Sequence, residues 1–278
     1  MNKIVEMEFF SENVAKIVLE APDIAKSRKA GHFVIIRIDE KGERIPLTIA
    51  DGDPEKGTIT LVVQRVGVTS AKLLAKKVGD EILDVVGPLG HATHIEKVGT
   101  VLCAGGGVGI APLMPIVKAL KEAGNRIITV LAGRTKELII LEDEMREFSD
   151  EVVIMTDDGS YGKKGLVTAG MEEVIKSEKV DMAVVIGPAI MMKFGSLTTQ
   201  KYNIPTVVSL NTIMVDGTGM CGACRVSVGG KTKFVCVDGP EFDASLVNWE
   251  EMMMRMGAYK TQEHEAYERY LKTVETVS

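Results

Sequence analysis

Three of the four cysteines in this 278-residue chain lie in one short segment near its C-terminus. Cys221 and Cys224 form a Cys-x-x-Cys pair, and Cys236 follows a little further along. A Cys-x-x-Cys turn lets two thiolates converge on one metal ion, and a third thiolate closes another side of the site. Because metal sites built on thiolates take four ligands, this spacing predicts a metal centre with one ligand still to be found.

The other residues that could complete the site differ in where they lie. Cys103 falls in a predicted core strand, where a buried cysteine usually acts as a small hydrophobic side chain. Asp238 and Asp243 follow Cys236 in a predicted turn, and Asp216 opens an Asp-Gly turn of a common surface kind. All four histidines are remote in sequence, namely His32, His91, His94 and His264. The residues by themselves leave the fourth ligand open, and they allow a zinc knuckle as well as an iron–sulfur cluster.

A glycine-rich stretch, AGGGVGIAP at residues 104–112, lies between a predicted strand and a predicted helix. Glycine lets the backbone approach a pyrophosphate closely, and a helix N-terminus offers free N–H groups. From Gly107 the spacing is G-x-G-x-x-P, with Pro112 in the first helical turn. A tight strand-to-helix turn would use the same residues, but the setting favours a nucleotide site. The predicted contacts are Gly105, Gly106, Gly107, Val108 and Gly109.

Two further loops follow predicted strands of the same sheet, TDDGSYG at 156–162 and IGPAIMM at 186–192. Each contains residues that any turn needs, but parallel strands bring their carboxyl ends to one edge, so the three loops are expected to line one crevice. The predicted contacts here are Asp157, Asp158, Gly187 and Pro188. Arg134 and Lys136, after the second strand, either meet a 2′-phosphate or are simply solvated, so the choice between NADH and NADPH stays open.

The elements that position these groups change character along the chain. Residues 1–98 contain short β-branched runs separated by Gly and Pro, which predicts a small antiparallel β-barrel. Residues 99–210 alternate strands with helices, which predicts a doubly wound parallel α/β domain. The cysteine segment spans 211–248. Residues 249–278 form a charged helical tail whose methionines either pack on their own domain or dock on a partner. The predicted fold is a multidomain α/β chain.

Two local features of the barrel are also predicted. A helix runs through SAKLLAKK, with Thr69 or Ser70 as its N-cap. The start of this helix is a second candidate anion site. The stretch DVVGPLGHAT, at residues 84–93, is expected to form a tight Gly-Pro turn near the junction with the second domain.

Charge and composition exclude several classes of partner. The net charge of −6 and the lack of basic clusters argue against nucleic acid. No apolar run reaches the length of a transmembrane helix, and the first residues, MNKIVEMEFF, lack the apolar core of an export signal. Few, unevenly spaced cysteines favour metal or redox chemistry over disulfides. We therefore expect a cytoplasmic protein with no membrane or nucleic-acid partner.

The order of four motifs resembles that of a known family. IPLT (45–48), GPLG (87–90), GGGVGIAP (105–112) and GPAIMM (187–192) follow one another as in the ferredoxin–NADP reductase superfamily. The added cysteine segment resembles the electron-transfer subunits of class B dihydroorotate dehydrogenase. It is more similar still to the small subunits of NADH-dependent reduced ferredoxin:NADP oxidoreductases, also known as sulfide dehydrogenases. The resemblance extends to about Asp243.

The resemblance implies FAD on the barrel. The residues that it places along the flavin and its diphosphate are Pro46, Leu47, Thr48, Val62, Val63, Gln64, Gly67, Thr69 and Ser70. The superfamily pattern is R-x-[YF]-[ST], and Thr48 matches its last position. Ile45 stands at the arginine position, Arg44 lies one residue early, and Leu47 replaces the stacking aromatic residue. The chain therefore departs from the family at the arginine that contacts the flavin.

For the cysteine segment the resemblance implies a [2Fe–2S] cluster. Relatives carry C-x₄-C-x₂-C with a further cysteine downstream, and laid on this chain their first cysteine falls on Asp216. The implied ligands are Asp216, Cys221, Cys224 and Cys236. A carboxylate keeps the −1 charge of the thiolate that it replaces, so the net charge of the cluster is expected to be unchanged. The harder oxygen ligand is expected to alter its reduction potential.

The function that the resemblance implies is an electron relay. NAD(H), with NADP(H) not excluded, exchanges a hydride with FAD, and single electrons pass through the cluster to or from a larger subunit with its own flavin and [4Fe–4S] clusters. The heterodimer is expected to perform electron bifurcation and to reach ferredoxin through the larger subunit. No catalytic acid or base is predicted. The alternatives are a dihydroorotate dehydrogenase electron-transfer subunit, a free-standing ferredoxin:NAD(P) reductase, and a non-enzymatic nucleotide-binding module with a zinc knuckle.

Overall fold

An antiparallel sheet of seven strands forms the N-terminal part of the computed structural model, which describes residues 2–275. Its strands are β1 (Asn2–Ser11), β2 (Val14–Glu20), β3 (Phe33–Arg37), β4 (Ile45–Asp53), β5 (Thr58–Gln64), β6 (Glu81–Ile82) and β7 (Asp84–Leu89). Their order is β6-β1-β2-β5-β4-β3-β7. Strands β6 and β7 lie at opposite ends of this order, yet only Leu83 separates them in the chain. The N–H of Leu83 donates to the carbonyl of Ile38, which lies just after β3, at 3.3 Å. The sheet thus curls into a nearly closed barrel, as predicted.

The barrel encloses its own core, and two short helices add buried side chains to it. The inward side chains of alternate strand residues are fully buried, among them Ile17, Leu19, Ile36, Ile59 and Leu61. The helices are α1 (Pro22–Ser27) and α2 (Val68–Leu74). The predicted N-cap of α2 is wrong, because the cap is Gly67. Ser70 lies one turn inside the helix and its hydroxyl accepts the N–H of Gly67 at 3.0 Å.

The predicted Gly-Pro turn at residues 84–93 is also corrected. Its first half is β7 itself, which pairs antiparallel with β3 through Phe33 opposite Leu89 and Ile35 opposite Val86. The motif therefore closes the barrel as a strand, and the chain leaves the barrel only after Leu89.

A second sheet of seven strands follows, and all but its last pair are parallel. Its strands are β8 (Thr100–Gly106), β9 (Arg126–Gly133), β10 (Glu151–Thr156), β11 (Lys163–Lys164), β12 (Met182–Ile186), β13 (Thr206–Ser209) and, from the C-terminal part of the chain, β16 (Glu241–Asp243). The helices between them are α3 (Ile110–Glu122), α4 (Glu142–Phe148), α5 (Val167–Ser177) and α6 (Ala189–Gln200), with short 3₁₀ turns at Gly107–Gly109 and Lys136–Leu138. Helices α3 and α4 cover one face and α5 and α6 the other, which confirms the doubly wound domain.

The strand order of this sheet determines where a ligand would bind. The order is β11-β10-β9-β8-β12-β13-β16. The chain winds outward from β8 to β11 on one side and then crosses to β12 and β13 on the other. The order therefore reverses at β8 and β12, and ligands bind at the carboxyl ends of strands at such a switch point. The glycine-rich stretch after β8 and the loop after β12 lie at this place.

The C-terminal part joins the second sheet. Its elements are β14 (Arg225–Val228), β15 (Lys231–Phe234), α7 (Val235–Asp238), β16 (Glu241–Asp243), α8 (Trp249–Met256) and α9 (Lys260–Glu275). Strands β14 and β15 form a hairpin, and β16 pairs antiparallel with β13. Of the predicted helical tail, residues 276–278 lie outside the described residues. Helix α8 packs on its own chain, since Trp249 and Met252 are buried. Among residues 2–275 no helix is both long and apolar enough to span a membrane.

Candidate functional site

A crevice of about 1390 Å³ lies between the barrel and the carboxyl edge of the second sheet. This volume exceeds the roughly 300–1,000 Å³ that is usual for a single small-molecule ligand, so the crevice has room for two ligands side by side. Most of the predicted contacts line it. They are Pro46, Leu47, Thr48, Val62, Gln64, Gly106, Gly107, Val108, Gly109, Asp157, Gly187 and Pro188.

The barrel wall of the crevice is formed by β4 and β5. Pro46, Leu47 and Thr48 are half-buried on β4, where they pair with β3, and Val62 and Gln64 stand on one face of β5. Since the wall combines apolar side chains with a hydroxyl and an amide, it suits a planar ring with a polar edge.

Val63 does not line the crevice. It is only 1% exposed and belongs to the barrel core, because successive residues of a strand point to opposite faces. Its neighbours Val62 and Gln64 face the crevice for the same reason.

The start of α2 stands apart from the crevice lining. Both hydroxyls of the predicted diphosphate site are engaged inside the protein, since Thr69 donates to the Glu43 carboxylate at 2.9 Å and the Ser70 hydroxyl is hydrogen-bonded to the backbone of Gly67. A methyl group at Gly67 would meet no atom within 4 Å, so the backbone there faces open space. Any anion at this helix start would meet backbone N–H groups rather than these hydroxyls.

The nucleotide wall depends on close backbone approach. Gly107 has a φ of +55°, and a methyl group on it would meet nothing within 4 Å, so its backbone is open to the crevice. A methyl group on Gly109 would lie 2.7 Å from the Cα of Gly187, so the loops after β8 and β12 touch through backbone atoms. Gly105 is instead buried under α3, where a methyl group would lie 3.2 Å from the Cα of Ile110.

The loops after β9 and β10 supply charged groups to one end of the crevice. Asp157 and Arg134 line it, whereas Asp158 and Lys136 do not. The carboxylate of Asp158 accepts the N–H of Ser160 at 2.9 Å, and hydrogen bonds from Ser160 lower the pKa of Asp158. The Lys136 ammonium lies 5.2 Å from the centre of the Tyr161 ring. Of the two basic residues considered from the sequence, Arg134 is therefore the one placed to meet a nucleotide.

Several crevice residues were not predicted from the sequence. They are Phe33 of β3, Thr212 and Met214 of the segment after β13, Pro240, and Met256 at the end of α8. The buried hydroxyl of Thr212 has no hydrogen-bond partner among the described residues. Because a buried hydroxyl without a partner is costly, this atom fits a polar group of a bound ligand.

The cysteine segment continues from the crevice wall. The Sγ atoms of Cys224 and Cys236 lie 3.2 Å apart, both residues are buried, and both are free thiols. Cys221 is exposed on the preceding loop. Burial and the neighbouring Cys224 thiol raise the pKa of Cys236, while the backbone N–H groups of Ala223 and Asp216 lower that of Cys221. Backbone N–H groups thus face thiols, as they do around iron–sulfur clusters.

Asp216 holds its own loop together. One of its carboxylate oxygens accepts the N–H of Thr218 at 2.8 Å, the Thr218 hydroxyl, and the N–H of Met220 at 3.3 Å. The Thr218 hydrogen bonds are the largest cause of the lowered pKa of Asp216, so the carboxylate stays ionised at neutral pH. An ionised carboxylate with a second oxygen outside this set of bonds matches the donor that the fourth ligand position requires.

Three of the predicted ligands lie on one loop and Cys236 lies on α7 after the hairpin, and the four are not closed around a common centre. No group of three His, Cys, Asp or Glu side chains within residues 2–275 is arranged to hold a metal ion. The rivals for the fourth position are engaged elsewhere. Asp238 accepts the Phe234 N–H at 2.7 Å, and Cys103 is fully buried in β8, where burial raises its pKa to about 12. The donor set of three free thiols and one carboxylate fits an iron–sulfur cluster, and the assignment of these ligands stays a prediction.

Comparisons with known proteins agree with this arrangement. Residues 211–248 match the family described as the iron–sulfur cluster binding domain of dihydroorotate dehydrogenase B, and residues 104–196 match the oxidoreductase NAD-binding domain. In Thermotoga maritima, a dihydroorotate dehydrogenase B (NAD(+)) electron transfer subunit homolog is 54% identical over 273 residues, which is 98% of this chain and 96% of that protein. The corresponding electron transfer subunit of Desulforamulus reducens is 33% identical over 89% of this chain and 97% of its own length.

A solved structure extends the comparison to three dimensions. It is a chain of the NADH-dependent reduced ferredoxin-NADP oxidoreductase, described for its insights into flavin-based electron bifurcation. The two chains are 52% identical, each is covered over 98% of its length, and the TM-score is 0.93. The predicted fold and the predicted resemblance are confirmed. The chain therefore belongs to the family of dihydroorotate dehydrogenase B electron-transfer subunits and their homologues.

Proposed function

We propose that this chain is the electron-transfer subunit of a bifurcating NADH-dependent ferredoxin:NADP oxidoreductase. The observation that carries the proposal is the continuity of the site. Thr212 and Met214 line the crevice, and the chain then runs directly into Asp216 and the cysteine loop. A ligand in the crevice and a metal cluster in the loop are thereby held by one short stretch of backbone.

The cofactors that fit are FAD on the barrel wall, NAD(H) at the glycine-rich wall, and a [2Fe–2S] cluster on Asp216 and the three cysteines. When bound, FAD exchanges the two electrons of a hydride for the single electrons that a cluster carries. The chain itself supplies binding and orientation. The strand β4 and the loops after β8 and β12 form facing walls that hold two planar groups against each other and keep water out.

No side chain in the crevice is needed as an acid or base. The proposed reaction moves a hydride and then single electrons, so the role of Asp157 and Arg134 is to bind the nucleotide. The names of the relatives, which specify NAD(+) and NADH, support NAD(H) as the coenzyme. The ratio of kcat/KM for NADH to that for NADPH tests this, and we expect it to be well above one.

The partner that we propose is a larger subunit with its own flavin and [4Fe–4S] clusters, through which ferredoxin is reached. The similarity to the oxidoreductase chain over nearly the whole length supports it. The names of other relatives favour a second candidate, the electron-transfer subunit of a dihydroorotate dehydrogenase. The complex purified from its host separates the two. NADP⁺ reduction by NADH with reduced ferredoxin supports the first, and dihydroorotate oxidation with NAD⁺ supports the second.

The organisation that we propose has FAD on residues 1–98, the nucleotide on 99–210 and the cluster on 211–248, with 249–278 as a C-terminal tail whose described part contains α8 and α9. The four free cysteines support a reducing compartment such as the cytoplasm.

The direct test of the relay is an anaerobic titration of the chain with NADH. We expect the flavin absorbance to bleach and the electron paramagnetic resonance (EPR) signal of a reduced cluster to appear. Flavin bleaching without a cluster signal would contradict the relay, because the chain would then act only as a flavin reductase.

A further inference from the structure

The cysteine loop is held from two sides by arginine side chains. Arg44, just before β4, donates from Nε to the carbonyl of Val215 at 2.9 Å and from a terminal nitrogen to the carbonyl of Asp216 at 3.4 Å. Arg255, on α8, donates to the carbonyl of Ala223 at 3.3 Å and to that of Arg225 at 3.2 Å. The two guanidinium groups therefore meet the backbone at the beginning and at the end of the proposed ligand loop.

The orientation of the loop explains one of these contacts. The N–H groups of Asp216 and Ala223 face the sulfur of Cys221, and the N–H of Gly219 faces that of Cys236. The N–H of Asp216 and the carbonyl of Val215 belong to one peptide unit, so this carbonyl points away from the sulfur and toward Arg44. The carbonyl of Gly222, which shares its peptide unit with the N–H of Ala223, accepts instead from the Arg225 side chain at 3.1 Å. Guanidinium carries five donors in a rigid fork, so one arginine can bind two outward carbonyls at once.

The barrel side of this arrangement also fixes the loop by packing. Gly217 has a φ of +84°, and a methyl group on it would lie 2.7 Å from Cγ1 of Ile35 and 2.9 Å from Cδ1 of Leu89. Ile35 pairs with Pro46 across β3 and β4, and Pro46 lines the crevice. The backbone beside Asp216 thus rests on the strand that backs the flavin wall, and Arg44 fastens it there.

We infer that Arg44 and Arg255 are positioning residues that clamp the cluster loop and, by their charge, raise the reduction potential of the cluster. This rests on the proposed function. A reduced cluster carries one more negative charge than an oxidised one, and a nearby cation stabilises the more negative state. The arginine that the superfamily places on its flavin lies one residue early in this chain, and the structure turns it to the cluster loop instead.

The experiment compares Arg44→Gln, Arg255→Gln and the double variant with Arg37→Gln. Arg37 is a matched control, because it is a half-buried barrel arginine whose partner is Asp84 and not the loop. Each anaerobically purified protein is assayed for iron content and thermal unfolding. Its cluster is then titrated with dithionite in the presence of mediators, followed by EPR.

We expect both single variants to lower the midpoint potential of the cluster and the double variant to lower it further, with Arg37→Gln equal to wild type. A folded Arg44 or Arg255 variant that has lost its iron also supports the clamp. Potentials and EPR spectra equal to wild type in all variants would overturn it while leaving the proposed function intact. A wild-type chain without iron would instead overturn the proposed function.

If a glutamine variant fails to fold, the variants Arg44→Lys and Arg255→Lys test the clamp instead. Lysine keeps the charge but donates from a single ammonium group, so we expect a potential near that of wild type with an altered EPR spectrum. Spectra unchanged by both lysine variants would contradict the clamp.

Discussion

Gly109 lies so close to the backbone of Gly187 that it has no room for a side chain. A methyl group on Gly109 would lie 2.7 Å from the Cα of Gly187 and equally close to the carbonyl oxygen of Ile186. These atoms belong to the backbone and cannot rotate away, so a methyl group would force the two nucleotide loops apart.

The first prediction follows from this contact. Overpacking of this kind costs about 1–3 kcal/mol, so Gly109→Ala should raise the dissociation constant for NADH roughly five- to 150-fold. Titration of the variant with NADH, followed by quenching of flavin fluorescence, measures it. Gly257→Ala is the control, because a methyl group there makes only ordinary contacts. Unchanged NADH binding in Gly109→Ala would contradict the placement of the nucleotide at this wall.

The second prediction concerns the unpartnered hydroxyl of Thr212. If it binds a polar group of the flavin, Thr212→Val should weaken FAD binding by roughly three- to tenfold, the scale of one hydrogen bond. Thr212→Ser keeps the hydroxyl and should bind FAD almost as wild type does. Fluorescence titration of the flavin-free chain measures both. FAD binding by Thr212→Val as tight as that of wild type would show that the hydroxyl does not contact the flavin.

The third prediction separates two roles of Asp216. The residue caps its own loop and is also the proposed fourth ligand. Asparagine can still accept the Thr218 N–H but is a poor iron ligand, so Asp216→Asn should lose most of its iron, whereas Asp216→Cys should retain the cluster with a changed potential. Asp238→Asn tests the rival position and should keep its iron. If Asp216→Asn kept its full iron content, Asp216 would cap the loop but would not be a ligand of the cluster.

The fourth prediction is a dependence of stability on pH. Burial raises the pKa of Glu241, which accepts a hydrogen bond from Thr93 at 2.5 Å. The folded protein therefore holds this proton more tightly than the unfolded chain. The stability that it contributes is fully present below the ordinary glutamate pKa of 4.5 and is lost as the pH rises through the raised value.

Glu241→Gln removes this dependence. At pH 8 we expect the melting temperature of the variant to lie a few degrees above that of wild type, which is the shift that about 1 kcal/mol produces in a chain of this length. This difference in melting temperature should close as the pH falls toward 4.5. Thermal unfolding across this range measures it, with the exposed Glu147→Gln as control. A gap that widened as the pH fell would refute the assignment.

Much of the fold was accessible from the sequence because its patterns are local. Strands and helices that alternate after residue 99 predict a parallel, doubly wound sheet, and its switch point then locates the glycine-rich stretch. The alternation of β5 would also have excluded Val63, since Val62 and Gln64 share the opposite face.

Other features depend on contacts between distant segments, which no local pattern reports. Thr212 and Met256 reach the crevice only because the C-terminal part folds back on the second sheet through β16. Arg44 meets Val215 across 171 positions of sequence, so its departure from the flavin motif had no visible explanation until the loop was placed. The cap of α2 at Gly67 was missed because a glycine cap offers no side-chain signal.

The central claim is that one chain holds a flavin and a [2Fe–2S] cluster at a shared site. The most direct test is the absorption spectrum of the anaerobically purified protein, taken together with its iron, sulfide and zinc content. We predict a yellow-brown protein with flavin and cluster bands and about two iron atoms per chain. A colourless protein loaded with zinc and free of flavin would contradict it.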